Sequence, residues 1–104
     1  VKLTDLQPRW VRAGGEGTTD AAGAPVPERL GVGVSFECPC GCGGPRVYVQ
    51  FSNPLDGGPP VADGDGHWAR TGETFETLDL QPSIQRLRGC RWHGFVRNGE
   101  IVTV

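Results

Sequence analysis

Four stretches of the chain alternate apolar with polar or small residues, the period of two that a half-buried strand requires. Leu30, Val32, Val34 and Phe36 fall on one side of a run whose other positions are Gly31, Gly33 and Ser35. Val47, Val49 and Phe51 alternate with Arg46, Tyr48 and Gln50. Gly94-Phe95-Val96-Arg97 and Glu100-Ile101-Val102-Thr103-Val104 flank Asn98-Gly99, a pair that favours a two-residue type I′ hairpin. Shorter strands are predicted around Arg9-Trp10-Val11-Arg12, with Trp10 as an anchor to the core, over His67–Thr71, and from Thr74 to Leu80, where Leu78 and Leu80 share a face. The pattern therefore predicts an all-β fold: a small antiparallel sheet domain that ends in a β-hairpin.

The intervening segments carry turn chemistry. Residues 13–28 are mostly Gly, Ala, Thr and Pro with little to bury, which suits a flexible excursion. The expected organisation is thus an N-terminal strand in residues 1–12, a flexible loop over 13–29, and the main β domain over 30–104. Residues 52–66 are rich in Asn-Pro, Asp-Gly and Pro-Pro turn pairs. The alternating aspartates Asp63 and Asp65 fail as a calcium loop, since the sixth position is Trp68 and the twelfth is Thr74 where glycine and glutamate are needed. Ile84 and Leu87 are expected to be buried on the approach to Cys90.

All four cysteines fall in two tight groups, Cys38, Cys40 and Cys42 between two of the strands and Cys90 ahead of the hairpin, with His93 three residues on. On an extended strand Cys38 and Cys42 would stand about 13 Å apart at ~3.3 Å per residue. Thiolates that share one zinc lie about 4 Å apart, so the segment must turn. Pro39, Gly41, Gly43 and Gly44 supply that turn and make a knuckle of the zinc-ribbon or rubredoxin kind. Cys38, Cys40, Cys42, Cys90 and His93 offer five ligands where zinc takes four. The preferred set is Cys90 and His93 with two of the three knuckle cysteines, spacing alone leaving open which two. His67 has no partner at ligand spacing and reads as a surface or structural histidine. Disulfides are disfavoured, because Cys38–Cys40 would close a strained ring and no signal segment directs the chain to an oxidising compartment.

Leu, Ile, Val and Phe supply 24 of the 104 residues, a lean core that gains from a cross-link between distant segments. The net charge of −2 argues against coating nucleic acid. Charge is uneven, however: Arg86, Arg88, Arg91 and Arg97 lie between Ile84 and Asn98 without a carboxylate. Together with Trp92 they make a candidate surface for a protein or nucleic-acid partner. No apolar run approaches the ~20 residues that cross a bilayer, so no membrane role is expected and the chain is placed in the cytoplasm; no nucleotide cofactor is expected either.

The Cys38-Pro39-Cys40-Gly41-Cys42-Gly43 run, Pro82-Ser83-Ile84 and Cys90-x-x-His93 before a hairpin resemble the DUF6527 family of small bacterial and phage domains. Asn53-Pro54-Leu55-Asp56-Gly57-Gly58, Arg70-Thr71-Gly72-Glu73-Thr74 and Trp92-His93-Gly94-Phe95 resemble its phage and prophage branch. The resemblance runs from about Leu30 to the end. It implies a metal-binding β domain and, for some relatives, an association with ubiquitin-like conjugation or defence systems. On these grounds the expected function is a non-catalytic, zinc-stabilised binding module of phage or prophage origin. The alternatives are a zinc-dependent hydrolase or deaminase using Glu37 or Glu100 as base, and a small virion or assembly component.

Overall fold

The computed structural model of the chain describes residues 1–61, 66–86 and 90–104. The expectations for Asp63 and Asp65, for Leu87 and for Arg88 lie outside the described residues. Among these residues the fold is built of strands and one short 3₁₀ turn, Leu3–Leu6. β1 (Arg9–Ala13), β2 (Arg29–Phe36), β3 (Val47–Phe51), β4 (His67–Thr71) and β5 (Asp79–Gln81) form a five-stranded sheet in that order. β6 (Ile84–Gln85), β7 (His93–Arg97) and β8 (Glu100–Thr103) form a second sheet of three. The pairings are antiparallel apart from β3 with β4, which run parallel, so the all-β, largely antiparallel fold expected from the pattern is present, arranged as two sheets.

The two sheets enclose one core. Phe36, Phe51, Val34 and Val49 from β2 and β3 meet Leu78, Leu80, Ile84, Trp92 and Val96, with Leu3 closing one end. Phe36 and Trp92 touch edge to face with ring centroids 6.5 Å apart, an arrangement aromatic pairs favour, and join the first sheet to the second. Trp10 is half-buried and stacks on Phe75 at 4.3 Å between centroids, as its role of anchor requires.

Three local departures from the sequence pattern have physical causes. Leu30, expected on the buried face of β2, is exposed: the register between β1 and β2 shifts between Val11 and Arg12, and Gly31 next to it has φ +81°. Gly31 and Gly33 are themselves buried, since the Leu55 side chain lies over Gly31 and the Val49 carbonyl crowds Gly33, so β2 is covered on both faces. The strand expected from Thr74 to Leu80 begins only at Asp79, because Thr74 and Thr77 close a turn through a 2.8 Å hydroxyl pair, and Phe75 leaves the ladder to meet Trp10. Residues 13–29, expected as a flexible excursion, instead carry a hydrogen-bonded hairpin beyond β1 and β2, with bonds from the Gly15 N–H to Val26 O and from the Val26 N–H to Thr18 O.

The C-terminal hairpin has the turn its Asn-Gly pair calls for. Asn98 and Gly99 take φ 46° and 76°, the left-handed pair of a I′ turn. A side chain on Gly99 would collide with the Glu76 carbonyl, so the turn seats directly on the chain entering β5. The Gly99 N–H donates to Leu78 O and its carbonyl accepts from the Leu3 N–H, each at 2.8 Å.

Candidate functional site: a thiol cluster and a serine–histidine groove

The knuckle between β2 and β3 turns back on itself at Cys38, where the Gly41 N–H donates to Cys38 O at 3.1 Å. Gly41 and Gly43 take φ 75° and 67°, conformations that cost glycine little and other residues much. The turn brings Cys38, Cys40 and Cys42 together with Cys90, all four ligand atoms within 4.8 Å of one another. Cys38 Sγ lies 3.3 Å from Cys40 Sγ and 3.2 Å from Cys90 Sγ, well beyond a disulfide bond, and the four are free thiols. Sulfurs so spaced fit a tetrahedral thiolate site, in which the S–S distance is about 3.8 Å for metal–sulfur bonds of ~2.3 Å.

The electrostatics of the cluster are those of thiols crowded around a cation's place. Burial pushes the Cys38 thiol up, but hydrogen bonds to the Cys40 backbone, to Cys90 and to Arg86 outweigh it and bring the group down to about 6. Cys40 is pushed up to about 12, first by its bond to Cys90 and then by burial. Cys42 is lowered, chiefly by the Gly44 N–H that donates to its sulfur at 3.4 Å. The thiols compete for protons, a conflict that a bound metal ion relieves by taking all four as thiolates.

His93 is not part of this cluster. It opens β7, where neighbouring side chains point to opposite faces. Trp92 and Gly94 turn into the protein, while the His93 ring lies on the other side with Nε2 3.0 Å from Ser83 Oγ. The expectation of His93 as a preferred ligand therefore gives way to a set of four thiols, with the histidine paired to a serine. Glu37 and Glu100, the bases considered for a metal hydrolase, are exposed, and Glu100 sits at the start of β8 in a bridge with Lys2.

The arginine-rich surface expected for a partner is divided. Trp92 is 5% exposed and its Nε1–H donates to Thr103 Oγ1 at 3.1 Å, which makes it a core residue. Arg86 donates to Pro45 O at 2.9 Å and to Cys38, so it braces the knuckle. Arg91 is exposed with φ 55°. Arg97 is exposed elsewhere, its guanidinium 4.2 Å above the Phe95 ring.

Ser83 stands at one end of a groove of about 760 Å³ lined by Asp79, Leu80, Gln81, Pro82, Phe95 and Arg97. The chain from Asp79 to Ser83 forms one wall, with a cis Gln81–Pro82 bond, and β7 forms the other. Ser83 is fixed by the Trp68 indole N–H, which donates to its carbonyl at 3.2 Å. Nearby in the sheet, His67 buries Nε2 without a hydrogen-bond partner. Ser83 was legible only as part of the Pro82-Ser83-Ile84 motif. The hint that His93 stands apart was the ligand surplus: five candidates for a shell of four, which the four thiols alone can fill.

An all-β domain thus joins a four-thiol cluster to a serine–histidine pair beside an open groove. The family model described as the bacterial ubiquitination-like system serine protease (BubE) matches residues 22–104, and the chain belongs to that family. No curated protein and no solved structure matches the chain. The match overturns two expectations. The family is BubE rather than DUF6527, and a serine-protease family replaces the non-catalytic phage binding module. Among the described residues, no helix is long and apolar enough to cross a membrane.

Proposed function

We propose that the chain is a serine protease in which Ser83 is the nucleophile and His93 the general base, acting on a protein of the ubiquitin-like system named in its family's description. The observation that carries this is the 3.0 Å contact between Ser83 Oγ and His93 Nε2, within the range a base needs to take the hydroxyl proton. With Nε2 accepting, the ring proton resides on Nδ1. Ser83 Oγ attacks the scissile carbonyl as its proton passes to His93 Nε2; the same proton then goes to the departing amine, leaving an acyl ester on Ser83. Water, deprotonated by His93, hydrolyses the ester and restores the pair. Among the described residues no carboxylate bonds His93, so the arrangement is a dyad.

The thiol cluster suits structural zinc: four sulfurs close the coordination shell and leave no position for substrate. Zinc bound there would supply cross-linking rather than reaction chemistry, holding the knuckle to the segment that leads into His93. Free thiols at this spacing also suit a reducing compartment such as the cytoplasm. The test is covalent labelling with a fluorophosphonate, which reacts with activated serines. Wild-type protein should be labelled at Ser83, and His93→Ala should abolish labelling while leaving the thermal melt in place. Labelling that persists in Ser83→Ala would overturn the assignment.

A further inference from the structure

We propose that the groove beside Ser83 selects an extended peptide through an acidic side chain, which Arg97 holds about four residues along from the bond that is cut. The proposal rests on the serine-protease reading and adds the substrate feature that the site reads. The groove is lined by Asp79, Gln81 and Ser83 on one segment and by Phe95 and Arg97 on the other, and His93 meets it through its 3.0 Å contact with Ser83. Along β7, Gly94 and Val96 are buried, so the period of two puts His93, Phe95 and Arg97 on the other side; on the facing segment Leu80 and Ile84 are buried, Gln81 is exposed, and Asp79 and Ser83 are half-buried. The reacting pair occupies one end of this strip and Arg97 the other. At ~3.3 Å per residue, the four steps of β7 from His93 to Arg97 span about 13 Å, the length of four residues of an extended substrate lying alongside.

The outer end is equipped for an anion. The Arg97 guanidinium lies 4.2 Å from the Phe95 ring centroid, a cation–π contact on an exposed side chain whose charge can still meet a carboxylate. Among the described residues the ion pairs are Arg12–Glu28 and Arg29–Asp56, and neither involves Arg97. Asp79 shares this end, but its Oδ2 accepts the Asn98 N–H at 3.3 Å and so is drawn toward the hairpin turn. Gln81 and Phe95 occupy the middle, where a polar and an aromatic side chain accept small substrate residues without demanding a charge.

The test uses the full chain carrying Ser83→Ala, which should bind without cutting, and fluorescein-labelled peptides of about ten residues built from Gly, Ser and Ala. Each peptide carries a single Glu, Gln or Lys four positions before or after its central bond. On one of the two sides the Glu peptide should bind about fivefold tighter than its Gln twin, the scale of a partly exposed charge-assisted contact. Adding Arg97→Ala should remove the preference, and Arg97→Glu should turn it toward Lys. Asp79→Asn should strengthen it. Equal binding of Glu and Gln peptides, a preference that survives Arg97→Ala, or no binding at all would overturn the proposal. Charge-selective binding by a protein that the fluorophosphonate does not label would instead overturn the protease reading alone.

Discussion

Cys90 and His93 lie three residues apart and serve two different regions of the molecule. Cys90 turns toward the knuckle and completes a cluster of four thiols, whereas His93, on the outward face of β7, meets Ser83. Between them Trp92 is driven into the core. The first region has every feature of a closed structural site: glycines in left-handed conformations, an arginine brace and sulfurs in mutual contact. The second is an open groove of mixed lining, where Gln81, Ser83 and Arg97 stand beside Leu80 and Phe95. A spacing that reads as one C-x-x-H ligand pair thus sends its two side chains to different places, one to the thiol cluster and the other to Ser83.

This division can be broken from either side. The largest effect should come from the thiol region. Removing metal with a strong chelator, or replacing Cys38 by Ser, should abolish cooperative folding, since structural thiolate sites contribute on the order of 10 kcal/mol; circular dichroism melts with and without added zinc would read this. Next, on the serine-protease reading, Ser83→Ala should lower peptidase turnover by roughly 10⁶-fold, the scale of losing a serine nucleophile. The melting curve should stay unchanged, which separates the two regions. Trp92→Ala, placed between them, should cost about 3–5 kcal/mol in chemical denaturation, with both metal affinity and turnover reduced in parallel.

The smallest effect should lie far from both. Arg29 and Asp56 form a bidentate pair at 2.7 and 2.9 Å, and the Asp56 carboxyl is held down at about 2, first by its bond to Arg29 and then by the Gly58 N–H. A carboxyl lowered by folding adds stability that is complete above its unfolded pKa, near 4, and fades as pH falls toward the folded value of about 2. Asp56→Asn should therefore shift the melting temperature slightly at neutral pH. Variant and parent should converge in melts recorded between about pH 4 and pH 2.

What was legible in the sequence was set by how local its cause is. The strands from Arg29 to Phe36 and from Val47 to Phe51, and the hairpin around Asn98-Gly99, follow from alternation and turn chemistry inside a few residues. The knuckle is equally local, because its prolines and glycines leave the cysteines few ways to run. That Cys90 joins the knuckle cysteines was legible, but the separation of His93 from them and its pairing with Ser83 were not. The pairing depends on β6 and β7 lying side by side with Gln85 opposite His93, a register set by long-range packing. Trp92 was grouped with the arginines for the same reason: beside Arg91 in the sequence, it is buried by long-range packing against Phe36. The break in the strand before Asp79 arises from a side-chain hydroxyl pair that no apolar pattern records.

The way the turn at Asn98-Gly99 is seated has a practical consequence. Val1 O accepts the Ile101 N–H at 2.9 Å, Lys2 bridges Glu100 and Leu3 reaches Gly99, so the first and last residues of the sequence run side by side. The hairpin thus holds the segment from Val1 to Leu3 in place, and Gly99→Ala, which unseats the turn from the Glu76 carbonyl, should speed hydrogen exchange at the Leu3 and Ile101 amides together.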